Sequence, residues 1–261
     1  MKKYAVIGNP ITQSLSPTMH NEIYKQLGID ASYCKKQIAP EALHSFMKSH
    51  KFDGLNVTSP HKETIVSFLD ELDEPAQAIG AVNCVYGKKG YNTDWLGFFN
   101  AVNANGIALK GRSCLILGAG GAARAIAYAL IASGVASVAV QNRNEQKGKA
   151  FLEWINARLP KNHASNQIDI IVNCTPVGMW PETNEAPEVD IKKNQILIDT
   201  IYNPEETAML KIGKDKRATI LGGLDMFIFQ GIASTNIWFD NKITKNIKPE
   251  QIKKVLKLKL C

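Results

Sequence analysis

The chain has 261 residues, enough for one large or two modest domains, each with a core of its own. Its hydrophobic content of 45% is ordinary for a soluble globular protein, and no apolar stretch approaches the roughly 20 residues that span a bilayer. A net charge of +7 suggests nucleic acid at first sight, but seven lysines against one glutamate fall between Asn241 and the end, without arginine or interleaved aromatics, so the excess reads as a solvated helix face.

The five cysteines, Cys34, Cys84, Cys114, Cys174 and Cys261, form no C-x-x-C pair and read as reduced thiols of a cytoplasmic protein. Cys84 and Cys174 lie in or beside strands, as buried rather than reactive thiols do. Met1-Lys2-Lys3 precede only a short apolar run ending at Gly8, the pattern of a first strand and not of a signal peptide. His20, His44, His50, His61 and His163 show no i, i+4 pairing, so no metal site is expected.

In chain order, residues 3–7 read as a strand broken by Gly8-Asn9-Pro10, and a polar loop then runs into a helix. Ser16 is placed to cap that helix with Pro17 at its first position; Met19, Ile23 and Leu27 share a face and Gly28 closes it. A cap and a ligand contact are compatible for Ser16, whereas Ser14 has no evident local task. A strand near 32–37 and a helix opened by Pro40, carrying Leu43, Phe46 and Met47, precede the strand 54–58. Asn56 and Thr58 lie two apart on it and so share a side, and polar groups on so apolar a strand need partners if buried. Lys62 follows the Ser59-Pro60-His61 turn, where a strand's carboxyl end would bring it to a crevice; otherwise it is an ordinary surface lysine. Residues 81–86 and 91–94 flank Gly87-Lys88-Lys89-Gly90 as a hairpin. Asp94 then meets an apolar helix start, by default as its N-cap.

From Cys114 strands alternate with helices. The apolar run 114–117 ends in Gly118-Ala119-Gly120-Gly121-Ala122-Ala123, where Gly118, Gly120 and Ala123 fall on the G-x-G-x-x-G/A spacing of a dinucleotide-binding turn. Gly118 takes the tight turn, Gly120 admits a pyrophosphate to the backbone, and Ala123 keeps the helix close to the sheet. A phosphate would sit at the helix N-terminus, where free N–H groups and the macrodipole favour an anion. That helix runs through 124–131 to a stop at Gly134. Further strands read at 138–141, 168–173, 196–201 and 218–221, with an amphipathic helix (Phe151, Leu152, Ile155, Leu159) after the first of these. An apolar, aromatic helix follows over 224–239. This order predicts a parallel sheet with right-handed crossovers and ligands beyond its carboxyl ends. Where NAD-specific turns place an acidic residue, this chain has Gln141-Asn142-Arg143-Asn144. Arg143 could fork onto a 2′-phosphate, which favours NADP, a surface arginine being the alternative. Pro249 opens a last helix with Ile252, Val255 and Leu256 on one face.

Several ordered motifs then resemble the signatures of shikimate dehydrogenases over nearly the whole chain. They are Gly8-Asn9-Pro10 with Ser14, Ser16, Pro17 and His20-Asn21; Asn56-Val57-Thr58-x-Pro60-x-Lys62; Gly80-Ala81-Val82-Asn83; Asn92-Thr93-Asp94; Asn173-x-Thr175-Pro176-x-Gly178-Met179; and Gly223 through Met226 to Gln230. The resemblance implies an α/β protein of two domains. An open α/β substrate domain would comprise 1–99 and 231–261, and an inserted Rossmann-type, doubly wound parallel sheet over 100–230 would bind NADP and face it across a cleft. The implied reaction is the reversible reduction of 3-dehydroshikimate to shikimate, with Lys62 and Asp94 as the acid/base pair at the C3 oxygen.

By the same resemblance Ser14 and Ser16 would hold the substrate carboxylate. Asn56, Thr58, Asn83 and Gln230 would bind its carboxylate or hydroxyls, with Tyr202 a further contact. Gly118, Ala119, Gly120, Gly121 and Ala122 would hold the cofactor, Asn142, Arg143 and Asn144 its 2′-phosphate, with Thr175, Gly223 and Met226 as further contacts. The final helix would pack on the N-terminal domain of a monomer or homodimer. Cys84 stands where the family usually has threonine, a change of packing, and Asp225 where it usually has a small residue near the nicotinamide end. Two rivals are an NADP-sensing regulator without turnover and an enzyme of the same family that also oxidises quinate or prefers NAD. The missing acid and Arg143 count against NAD.

Overall fold

The computed structural model describes residues 1–159, 167–239 and 245–260; His163, Lys242 and Cys261 lie outside the described residues. The first of its two units joins Met1–Gly97 to Ile228–Lys259, and the second spans Phe98–Phe227. In the first, β1 (Lys2–Gly8), α1 (Ser16–Leu27), β2 (Ala31–Gln37), α2 (Leu43–Ser49) and β3 (Gly54–Val57) come in turn. They are followed by β4 (Glu71–Leu72), α3 (Glu74–Ile79), β5 (Cys84–Tyr86) and β6 (Lys89–Tyr91). Among the described residues the sheet runs β2-β1-β3-β5-β6-β4. β1 pairs in parallel with β2 and β3, while β5 is antiparallel to β3 and β6. Ala5, Ile7, Leu55, Val57, Val82 and Val85 pack one face against Leu43, Ile65 and Ala76. Tyr4 turns the other way and stacks on Trp238, ring centroids 4.6 Å apart. Such two-sided burial is why β1 reads as a continuous apolar run after its two lysines.

Several local expectations are corrected. Ser16 does not cap α1: it lies inside the helix, Leu15 holds the cap position with no side-chain bond, and Ser14 Oγ accepts the Ser16 N–H at 3.3 Å. A serine hydroxyl reaches the amide two residues on without strain, so Ser14 has the local task instead. Pro40 opens a short 3-10 turn before α2, since its ring presets only the first residues. The hairpin turn is Gly87-Lys88 alone, because Lys89 and Gly90 already pair in β6. β4 and α3 had no clear signal, although Asp73 caps α3 by accepting the Ala76 N–H at 2.8 Å.

The chain enters the second unit through α4 (Asp94–Ala104) and leaves it through α8 (Leu224–Trp238), and each boundary falls inside the continuous helix. Between them lie β7 (Ser113–Leu117), α5 (Gly121–Ala132), β8 (Ser137–Gln141), α6 (Glu145–Asn156), β9 (Ile170–Asn173), β10 (Ile196–Asp199), α7 (Ala208–Asp215) and β11 (Thr219–Leu221). Their order in the sheet is β11-β10-β9-β7-β8, every pairing parallel. This is the Rossmann-like sheet that the strand–helix alternation predicted. Leu117, Ile171, Leu197, Met209 and Leu210 form one of its cores. The last helix, α9 (Pro249–Lys257), packs on α1 in the first unit, burying Ile252 and Leu256 while Val255 is half-covered. No helix among the described residues is long and apolar enough to cross a membrane.

Candidate active site

In the first unit the carboxyl ends of β1 and β3 are stitched together. The Thr58 N–H donates to the Ile7 carbonyl at 2.9 Å and the Asn9 N–H to the Ser59 carbonyl at 3.0 Å. Buried His61 bonds the Ile38 carbonyl through Nε2 at 2.7 Å. The chain is therefore held when it reaches Lys62, whose own carbonyl accepts the Val82 N–H at 2.8 Å. Lys62 Nζ lies 2.6 Å from Asp94 Oδ2, with side chains 18% and 8% exposed. A carboxylate so covered needs compensation, and Asp94 Oδ1 accepts from Asn83 Nδ2 at 2.8 Å. Asp94 is thus turned to Lys62 and Asn83 rather than acting as a cap. The first helical bond of α4 is accepted by the Thr93 carbonyl, from Gly97 N–H at 2.9 Å.

Behind this pair is a buried polar network. The Thr93 N–H donates to Asn83 Oδ1 at 2.6 Å, and Asn83 Nδ2 reaches Thr93 Oγ1 at 2.9 Å. Asn56 gives its amide hydrogens to the Asn83 carbonyl (3.1 Å) and Ser234 Oγ (2.9 Å), and accepts from the Tyr33 hydroxyl at 2.7 Å. Burial pushes the Tyr33 phenol well above its ordinary range, so it remains a donor. His20, lowered by burial to about 3 and hence neutral, stacks on Tyr33 with centroids 4.2 Å apart. Asn56 and Thr58 do not share a task. Asn56 lies inside the network with no amide hydrogen left for a ligand, while Thr58, beyond the strand, keeps its hydroxyl without a protein partner among the described residues. Ser14 and Ser16 stand together, Oγ to Oγ 3.1 Å, at the entrance to α1. Cys84 is fully buried, and burial pushes its thiol up to about 12.

The second unit holds the expected cofactor residues. Gly118 has φ +105°, and a Cβ there would stand 3.2 Å from the Cys174 carbonyl oxygen, so the turn requires glycine. Gly120 caps α5 without a side chain, and a Cβ on it would meet nothing within 4 Å. Open space in front of uncapped N–H groups suits a pyrophosphate. Beyond β8, Arg143 is exposed and joins no ion pair among the described residues. Asn144 Oδ1 caps α6 by accepting the Lys147 N–H at 2.9 Å, and Asn142 Nδ2 donates to the Asn144 carbonyl at 2.7 Å. At the ends of β9 and β10, Asp199 Oδ1 accepts from Asn173 Nδ2 at 3.1 Å, so Asn173 Oδ1 faces Thr175 and takes both its N–H (3.0 Å) and hydroxyl (2.7 Å). Burial raises the Asp199 carboxyl to about 6. Gly223 is required by close approach, since a Cβ there would collide with the Thr200 carbonyl. Tyr202 stacks on Phe227 at 4.2 Å, and Asp225 accepts from Asn105 Nδ2 at 3.1 Å. Met226 lies partly exposed in the first turn of α8 and Gln230 partly exposed one turn further on.

A sequence profile of the shikimate dehydrogenase substrate binding domain matches residues 6–85, and one described as NADP oxidoreductase coenzyme F420-dependent matches residues 113–203. The shikimate dehydrogenase (NADP(+)) of Shouchella clausii is 39% identical over 259 residues, 92% of this chain and 94% of its own. The chain belongs to the shikimate dehydrogenase family. A crystal structure of a shikimate dehydrogenase in complex with NADP+ matches with a TM-score of 0.90 and 34% identity, covering 100% of this chain and 96% of that one. The Thermus thermophilus shikimate dehydrogenase in complex with NADP(H) and shikimate matches with a TM-score of 0.88 and 33% identity over 100% of both chains.

Within this shikimate dehydrogenase fold, Lys62, Asp94, Asn83 and Asn56 come together from three sequence regions, while Ser14 and Thr58 lie on loops and Ser16 in the first turn of α1 of the same unit. Sequence reasoning missed Thr93, Ser234 and Tyr33. Thr93 adjoins Asp94 and could have been marked by its place in Asn92-Thr93-Asp94. Nothing local flags Ser234, which meets Asn56 across 178 positions of sequence.

Proposed function

We propose that this chain is an NADP-dependent shikimate dehydrogenase that reversibly reduces 3-dehydroshikimate to shikimate, with Lys62 and Asp94 as its acid/base pair. The observation that carries the reading is the largely buried Lys62–Asp94 contact of 2.6 Å in the unit that matches the family's substrate-binding domain. When bound, NADP supplies or accepts the hydride. In the reducing direction negative charge develops on the ketone oxygen, and the Lys62 ammonium stabilises it and donates a proton to that oxygen. In the oxidising direction the neutral amine takes the hydroxyl proton. Asp94, held by Asn83, orients the ammonium and offsets its charge.

The first unit, read as the substrate domain, would bind the carboxylate at Ser14 and Ser16 and the ring hydroxyls at Thr58 and Gln230, whereas Asn83, whose two amide hydrogens go to Thr93 and Asp94, would orient Asp94; Tyr202 is carried over from the family as a further contact. Asn56 fits better as a support for Asn83. Gly118 to Ala122 would cradle the pyrophosphate, and Asn142, Arg143 and Asn144 would take the 2′-phosphate, the Arg143 guanidinium supplying the charge. Thr175, Gly223 and Met226 complete the proposed cofactor contacts. We read the protein as a cytoplasmic monomer or homodimer without nucleic-acid or membrane partners; the four free cysteines among the described residues fit a reducing compartment. A spectrophotometric assay crossing shikimate and quinate with NADP and NAD tests the assignment. Shikimate with NADP should give the highest kcat/KM. Cofactor binding without any absorbance change would make the chain a sensor, and a preference for quinate or NAD would overturn the stated specificity.

A further inference from the structure

The hydroxyls of Thr93 and Ser234 link Asn83 to the backbone of α8 in a hydrogen-bond chain, whose direction is set by giving each hydroxyl proton to its shorter contact. Ser234 has one hydroxyl proton and donates it to the Gln230 carbonyl, 3.0 Å away, within its own helix. With that proton given to the backbone, Ser234 Oγ accepts from Asn56 Nδ2 at 2.9 Å and from Thr93 Oγ1 at 3.1 Å. Thr93 Oγ1 also lies 3.2 Å from Asn83 Oδ1, a longer contact to an oxygen that the Thr93 N–H already engages at 2.6 Å. Thr93, having given its one proton to Ser234, can only accept from Asn83, which it does from Nδ2 at 2.9 Å. Protons thus point from Asn83 to Thr93, from Thr93 to Ser234 and from Ser234 to the backbone of α8. The Thr93 N–H fixes the opposite end of the same amide. With one hydrogen of Asn83 Nδ2 committed to Thr93, the other is aimed at Asp94 Oδ1 at 2.8 Å. Flipping the amide would set its carbonyl oxygen against the carboxylate and its NH2 group against the Thr93 N–H.

We infer that Thr93 and Ser234 are positioning residues for the reaction. Acting through Asn83, they hold Asp94 where it grips Lys62, and they tie that geometry to α8, which also carries Gln230. Asn83, Thr93 and Ser234 are at most 2% exposed, so no solvent competes for these bonds. The inference rests on the assignment of Lys62 and Asp94 as the acid/base pair.

The test compares Thr93→Val, Thr93→Ser and Ser234→Ala with Lys62→Met in the shikimate–NADP assay, with NADP affinity measured separately by titration. Valine keeps the shape of threonine and removes the hydroxyl, whereas serine keeps the hydroxyl and removes the methyl. Thr93→Val should lower kcat roughly tenfold to a hundredfold, the range of a small misplacement of reacting groups. The KM for NADP should not move, since its proposed ligands lie in the other unit. Thr93→Ser should recover most of the lost kcat, and Ser234→Ala should fall between Thr93→Val and the parent. Unchanged kcat in Thr93→Val, or equal losses in the valine and serine variants, would overturn the inference. If Thr93→Val does not fold, Ser234→Ala at parental kcat would overturn it as well. A Lys62→Met variant that keeps its activity would instead refute the acid/base assignment.

Discussion

Replacing Lys62 by methionine removes the ammonium but keeps a stem of similar length. Asp94, with its side chain 8% exposed, would then retain a single donor from Asn83. A hydrogen bond to a charged group contributes about 1.5–3 kcal/mol, and stranding a fully buried charge costs about 3–5 kcal/mol. Lys62 is 18% exposed, so water can follow it and the lower figure applies. At about 2–4 °C per kcal/mol for units of this size, the melting temperature should fall by about 3–12 °C. Turnover should fall about 10²–10⁴-fold through loss of the general acid and base. These two effects part in the double variant Lys62→Met with Asp94→Asn. The asparagine carbonyl can still accept from Asn83, no charge is stranded, and neutral replacement of a buried pair is often close to neutral for stability. Melting temperature should therefore return most of the way while kcat stays at the level of the single variant. Calorimetry with the shikimate–NADP assay reads both. Recovery of kcat in the double variant, or parental kcat in Lys62→Met, would refute the reasoning.

Arg143→Ala should raise the KM for NADP about tenfold or somewhat more and leave that for NAD nearly unchanged, because a charge-assisted fork onto phosphate is worth about 1.5–3 kcal/mol; equal losses with both cofactors would make Arg143 structural. Gly118→Ala should lower the melting temperature, since its φ of +105° and the nearby Cys174 carbonyl strain any side chain. Gly120→Ala should leave the melting temperature unchanged while weakening NADP binding in a titration, because the added methyl meets no protein and projects into the space left for the ligand. Asp199→Asn should change the pH dependence of stability. The native Asp199 carboxyl titrates near 6 against an unfolded value of 3.8, so the folded state holds the extra proton and gains stability as pH falls through that window. About two pH units at roughly 1.4 kcal/mol each give an upper figure near 3 kcal/mol. Denaturant unfolding at pH 7 and pH 4 should show the stability of the variant, relative to the parent, dropping by up to that amount on acidification; parallel pH slopes would sink the assignment.

Some of this molecule was decided by the amino-acid sequence alone, because the physics involved is local. Residues 114–123 combine a buried strand, a glycine that tolerates positive φ and a run of helix formers, and the Rossmann-like turn follows from those neighbours without outside help. The absence of a carboxylate at 141–144 is likewise readable in sequence, as is the period that buries Ile252 and Leu256. Ser16 and Asp94 were open to misreading because each residue type has a common local use as a cap, and only the neighbouring hydroxyl of Ser14 and the distant Lys62 and Asn83 displace that use. Asn56 shows the limit most clearly. Strand alternation tells which way it points but not what it meets, and its partners Tyr33, Asn83 and Ser234 arrive from a parallel strand, a loop and a helix far along the chain. A buried amide can take either orientation until every donor and acceptor around it is counted. That count exists only once β3, the 92–94 turn and α8 are packed together, so the tertiary structure, and not the local sequence, decides which hydrogen faces Asp94.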